Sequence, residues 1–175
     1  MRILVSIGDT DNLDSRGTGE LATLIAAELE SRGWGRAGFV TRHQLLVHPD
    51  IPYTSHNSAM CFEAEIAENA LDAVIAYASD FLARESAEGS DPGLCVAAIE
   101  AVASPEQLIV FGERAKDSVL DKDTAYTLAE MLGVHLSEHG GSGQGVIGAL
   151  AGAGLRLGGN DEGSRGASRS PGTTE

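Results

Sequence analysis

Three groups of residues have the types and spacing needed to handle a phosphorylated ligand. The first is Asp9-Thr10-Asp11, directly after an apolar opening run. Two carboxylates at i and i+2 beyond a strand end can face one cavity and share a hard cation such as Mg2+, and the hydroxyl between them can bond a phosphate. The same residues also suit a solvated Asx turn leading into a helix. The second group is Ser15-Arg16-Gly17-Thr18-Gly19, at the head of the first predicted helix. Gly17 and Gly19 allow close backbone approach, and a helix start turns N–H groups and partial positive charge outward. Arg16 adds a full charge and Thr18 a hydroxyl, although Thr18 would serve equally as a plain N-cap. The third group runs from Gly140 to Gly148, with a G-x-G-x-x-G string at Gly143, Gly145 and Gly148. A dinucleotide fingerprint belongs between the first strand and first helix, and here the string lies near the C-terminus with no second βαβ half after it. A Rossmann site is therefore excluded. Two readings stay open: an anion cradle built by Gly141, Gly143 and Gly145, or a helix start packed tightly on a sheet.

Arg42-His43 and the run Tyr53-Thr54-Ser55-His56-Asn57-Ser58 concentrate side-chain donors beside a proline-fixed loop. They suit either a substrate pocket, with Arg42, His56 and Asn57 facing the ligand, or an ordinary polar loop. His135 and His139 could share a helical face, but Gly140 and Gly141 end that segment and no third ligand is evident, so zinc is not expected.

The elements that must position these groups follow from periodicity and punctuation. Arg2–Ile7 reads as a buried strand. A helix is predicted from about Glu20 to Arg32, with Leu21, Leu24, Ile25 and Leu29 inward and Gly33 as its stop. Phe39–Val47 is β-rich. Met60–Ile66 alternates as a strand, with Met60, Phe62, Ala64 and Ile66 against Cys61, Glu63 and Glu65. Asn69 can cap a helix from Ala70 to about Ser86, and Gly93–Ile99 reads as a buried strand. Ser104-Pro105-Glu106-Gln107 starts a helix with a capping serine and proline at its first position. Another helix follows Asp121 or Asp123 and stops at Gly133, and a last one opens near Val146. The fold class expected is α+β (α/β), a mixed β-sheet with packed helices. Residues 1–158 would form one domain and residues 159–175 a disordered polar tail.

Composition narrows the function. The 175 residues and 42% hydrophobic content suit a single core. No apolar run approaches the ~20 residues of a spanning helix, and the N-terminus lacks a signal peptide's features, which points to a cytoplasmic protein without a membrane partner. Cys61 and Cys95, well separated and among apolar neighbours, read as reduced core thiols. Twelve Lys and Arg against twenty-six Asp and Glu give a net charge of −14. That balance argues against direct nucleic-acid binding and leaves a nucleotide or phosphorylated small molecule as the expected partner. A homo-oligomer is compatible with it.

The assembled motifs resemble those of the archaeal tRNA-isoleucine agmatidine synthetases, in their N-terminal half. Ser6-Ile7-Gly8-Asp9-Thr10-Asp11-Asn12 is similar to that family's G-I-D-D-T-D-S opening. His48 to Ala59 is similar to its N-P-x-I-P-x-K-T-R-G-N-G-A. Asp91-Pro92-Gly93-Leu94 resembles its N-P-G-L, and Gly143 to Ala151 its G-x-G-L-I-G-A-L-A. The matches occur in order and span roughly Arg2 to Leu157. The resemblance implies an ATP-dependent kinase-like domain, with Asp9 and Asp11 as metal-side carboxylates and Thr18 as the counterpart of a threonine that becomes phosphorylated. Three departures stand out. Gly8 replaces the family's first aspartate, Thr18-Gly19 its doubled threonine, and Thr54-Ser55-His56-Asn57 its K-T-R-G-N. The expected function is Mg-dependent ATP or nucleotide binding, with small-molecule phosphotransfer as the candidate activity. The alternatives are a non-catalytic sensing module or an accessory subunit of an RNA-modifying complex. All of these require the acidic turn near the start and the glycine stretch near the end to meet in the fold.

Overall fold

The structure, a computed structural model, describes residues 1–10, 17–46 and 58–159. Strand β1 (Arg2–Gly8) is the spine of a five-stranded sheet ordered β2-β3-β1-β4-β5. Its neighbours are β3 (Ser58–Ile66) and β4 (Gly93–Ala98), and its outer members are β2 (Gly35–Gln44) and β5 (His135–Glu138). Every pairing is antiparallel, with Ser6 opposite Cys61 on one side and Cys95 on the other. The α+β class therefore stands.

Both faces of β1 are covered, which is why its sequence is apolar almost throughout. Ile3, Val5 and Ile7 point to the layer of α1 (Thr18–Ser31) and α2 (Leu71–Glu85), where they meet Leu21, Ile25, Leu29, Val74 and Leu82. Leu4 faces the other way, toward the layer of α3 (Pro105–Ala115), α4 (Lys122–Leu132) and α5 (Gly145–Leu157). Cys61 and Cys95 are free thiols in that second core. Burial pushes the Cys61 thiol up to about 12 and raises Cys95 as well, so neither is a ready nucleophile.

Helix α5 lies directly on the sheet. A Cβ at Gly152 would sit 2.7 Å from Ser6 Oγ and 2.8 Å from Ala59 Cβ, so the helix approaches at a distance that only glycine permits there.

Local signals explain most boundaries. Ser104 Oγ accepts from the Gln107 amide at 3.4 Å, and Asp121 Oδ1 from Thr124 at 2.8 Å. Gly33 and Gly133 take left-handed conformations just past α1 and α4, and the following amides bond back to Leu29 and Ala129.

Four expectations need correction. Leu24 is exposed, because the inward stripe of α1 is Leu21, Ala22, Ile25, Ala26 and Leu29. Asn69 caps nothing: it lies inside a 3-10 turn, Glu68–Ala70, and α2 starts after it without a side-chain cap. Strand β2 begins at Gly35 rather than Phe39 and carries an irregularity between Ala37 and Val40. The His135 segment is a strand and not part of a helix, so residues i, i+2 and i+4 share its face. The Ser137 hydroxyl accordingly sits 2.7 Å from His135 Nε2 and 2.6 Å from His139 Nε2.

Candidate functional site

The site is built where β1 runs out. Register pairs Gly8 with both Ala59 and Gly93, so the strand ends of β3 and β4 flank the exit. Asp9 then takes φ 53, a left-handed conformation uncommon for a residue with a side chain. This reversal turns the chain at the sheet's end, and Asp9 is 8% exposed there. Strain of this kind persists where surrounding structure fixes it. One contact that holds it is the Asp91 amide, which donates to Asp9 Oδ2 at 3.2 Å.

Thr10 follows, fully buried. Its hydroxyl donates to Thr18 Oγ1 at 3.0 Å, and its carbonyl accepts from the Ala87 amide at 2.8 Å. The first pair joins the end of β1 to the first turn of α1, so two of the predicted hydroxyls lie side by side. Gly17 is the N-cap of α1 and has no side chain with which to bond the first-turn amides. Among the described residues, a Cβ there would meet nothing within 4 Å, and one at Gly19 would find only the Met60 thioether, at 3.6 Å. Arg42 stands opposite Met60 on β2, on this same face of the sheet, and donates to Gln44 Oε1 at 3.3 Å.

The glycine stretch reaches the same end of the sheet. A Cβ on Gly8 would lie 2.8 Å from the Gly145 carbonyl oxygen, and one on Gly145 would lie 2.6 Å from the Gly8 oxygen and 2.9 Å from the Gly93 nitrogen. The link to the acidic turn runs through Asp91. Its Oδ1 accepts from the Ser142 amide at 2.6 Å, its carbonyl accepts from the Gly145 amide at 2.8 Å, and its own amide holds Asp9. Gly141 approaches closely enough that a Cβ would strike Asp91 Oδ1 and Ser90 O, and it adopts φ +56.

This turn spends its amides on the protein. Gly143 donates to Gly140 O, Val146 to Gly143 O, and Gln144 to Ser142 Oγ. With Ser142 and Gly145 engaged by Asp91, the N–H groups from Ser142 to Val146 all have protein acceptors. The tight-packing reading of the glycine string accounts for Gly145 and Gly148, the latter pressed toward Leu45. Lys122 adds a tether, donating to Ser142 O at 2.7 Å and to Glu138 at 3.0 Å.

Asp11, Arg16, His56 and Asn57 lie outside the described residues. Among the described ones, no cluster of three His, Cys, Asp or Glu side chains could hold a metal unaided. What the exit of β1 does present is Asp9 with the hydroxyls of Thr10 and Thr18, all oxygen donors. That set suits Mg2+, which keeps waters and ligand phosphates in its shell and takes only one or two carboxylates from the protein.

Two participants were not singled out from sequence. Asp91 looked like a turn residue, and its position in the Asp91-Pro92-Gly93-Leu94 motif was the available signal. Arg156 emerges from α5 to donate to Thr41 Oγ1 at 2.8 Å and Cys61 O at 3.0 Å, with His43 Nε2 2.8 Å from the same hydroxyl. This buried network ties α5 to the β2–β3 end of the sheet. It explains His43 as a structural residue.

Among the described residues no helix is long and apolar enough to cross a membrane. No family model and no curated protein matches the chain. Solved structures do. A tRNA fluorescent labeling enzyme is 29% identical with a TM-score of 0.76. TiaS, an agmatidine synthetase acting on an isoleucine tRNA, is 28% identical in its complex with that tRNA and ATP, at a TM-score of 0.75. With the same tRNA, AMPCPP and agmatine it is again 28% identical, at 0.73. Each match covers 88% of this chain but only 36% of the other. One expectation falls with this finding: the inference from net charge that a chain of this kind makes no direct contact with nucleic acid. TiaS is solved with tRNA bound, and the net charge of one module does not decide what the rest of such a protein, or a local surface, can hold. The resemblance read from the motifs is thus matched in three dimensions: over 88% of its length this chain has the fold of the agmatidine synthetase TiaS, and it spans about a third of that enzyme.

Proposed function

We propose that this chain is an ATP-binding module of an RNA-modifying system, and that it receives Mg-ATP where β1 gives way to α1. The observation that carries the reading is the buried trio Asp9, Thr10 and Thr18, fixed at the head of α1 in a fold shared with an enzyme solved with ATP. Asp9, with Asp11 beside it in sequence, would contribute carboxylate to Mg2+, and the first turn of α1 would offer its N–H groups to phosphate. Bound Mg2+ would offset phosphate charge. The Thr10 and Thr18 hydroxyls would orient the phosphate chain, exchanging their mutual hydrogen bond for bonds to the ligand. Arg42 faces the same side and would meet the second substrate. The 140–145 turn would act indirectly, by holding Asp91 and through it Asp9.

Phosphoryl transfer relies mainly on positioning and charge stabilisation, which these parts could supply. One observation favours binding without turnover. Gly8, where the similar family carries a further aspartate, is closed in by the Gly145 carbonyl, so an added side chain would have to displace α5.

The test is thermal unfolding of the full chain with and without Mg-ATP. A ligand bound only to the native state raises the apparent midpoint. Wild type should be stabilised and Asp9→Asn should not, while both melt alike without ligand. Release of phosphate from bound ATP then separates enzyme from sensor. Failure of Mg-ATP to protect wild type removes the nucleotide reading.

A further inference from the structure

The outer helical layer carries a second feature, remote from the β1 exit. Between α3 and α4 runs a groove of about 640 Å³, floored by Phe111 and Leu128. Val110 and Met131 stand in it 54% and 60% exposed, the two most exposed large apolar side chains among the described residues. Glu106 and Arg114 line the same groove and are both exposed, and neither side chain has an ion-pair or hydrogen-bond partner among the described residues.

Their spacing is symmetric. Glu106, Val110 and Arg114 are i, i+4 and i+8 on one face of α3, so the opposite charges lie about 12 Å apart with the valine midway. A second α3 laid antiparallel, with a two-fold axis through Val110, places each Glu106 against the other copy's Arg114 and the two valines against each other. A parallel arrangement would set like charges together. A two-fold interface must be self-complementary, and this stripe is. A chain of net charge −14 repels its own copies at long range, so self-contact needs such a local match. We infer that the chain pairs with a second copy of itself through this face, α3 against α3, with Met131 of each α4 closing the apolar seam.

Sedimentation equilibrium on the full chain, from about 1 μM to about 1 mM, tests the pairing. Wild type should show a concentration-dependent dimer. Glu106→Arg and Arg114→Glu should each weaken it at least about tenfold, because each creates two like-charged contacts. The double variant should regain the dimer, and an equimolar mixture of the two single variants should form mixed dimers although neither associates alone. Both positions are exposed, so circular dichroism at the low end of that range, where pairing adds least to stability, should show unchanged melting. The inference is overturned by a monomer throughout that range, even if an unrelated protein binds the groove. It is also overturned by a dimer that both single reversals leave intact, or by single reversals that the double variant fails to rescue.

Discussion

Two glycine-bearing turns head helices in this protein, and they do different work. At α1, no described residue comes within 4 Å of a Cβ built on Gly17, and among the described residues Gly19 meets only a flexible methionine. At α5, Gly141 and Gly145 are hemmed in by Asp91, Ser90, Gly8 and Gly93. The amides of the second turn are consumed by the protein, and Gly17 offers no side chain to cap the first-turn amides of α1. Glycine thus stands in two settings that look alike in sequence: one helix head where no described residue presses on it, and another where the protein itself closes in. Asp91 connects them, because the packed turn grips it and it grips Asp9.

The sharpest way to break the comparison is Gly145→Ala. Its new Cβ would meet backbone on three sides, so a loss of about 3 kcal/mol is expected in urea unfolding, the upper end for overpacking. A change within about 0.5 kcal/mol would mean that the turn is not packed as described.

Asp91→Ala should come next, at about 1 to 2 kcal/mol, since it strips the Ser142 amide of its acceptor. Asp91→Asn keeps Oδ1 and should recover at least half of that. Both variants should also shift Mg-ATP affinity, because the link to Asp9 passes through this residue.

A smaller effect is expected from pH. Burial lowers His135 and His139 below the ordinary imidazole value of 6.5, and the His139 amide anchors to Pro92 beside the packed turn. The unfolded chain therefore binds these protons more readily. Their contribution is complete above about pH 6.5 and is lost as pH falls toward the depressed native values. Unfolding free energies measured across that range should slope downward toward acid, and His135→Asn with His139→Asn should flatten the slope. An unchanged slope would show that neither imidazole is coupled to the fold.

How far the sequence disclosed this arrangement depended on how local the signal was. The start of α3 at Ser104-Pro105, the ends of α4 at Asp121 and Gly133, and the alternation of β3 are written within a few residues, and each is where the motif placed it. Four-residue β5 is too short to show a period, and its histidines borrowed a helical reading from their i, i+4 spacing. The hydroxyl pair Thr10–Thr18 was legible as two separate candidates, but not as a bond. Asp91 was not legible as a hub, because its three partners lie up to 82 residues away and nothing local announces them. The glycine string was ambiguous for a physical reason: a missing Cβ records that something comes close, and only the fold tells whether it is ligand or protein.

Gly17→Val probes the open turn most directly. Its φ of −73 and ψ of 159 suit any residue, and no described residue would meet its Cβ within 4 Å, so stability should stay within about 1 kcal/mol of wild type. Mg-ATP titrated calorimetrically into both proteins should bind wild type and bind the variant at least about tenfold more weakly, as the isopropyl group fills the approach to the first-turn amides. Equal affinities in the two proteins would contradict the assignment of the α1 head to the ligand.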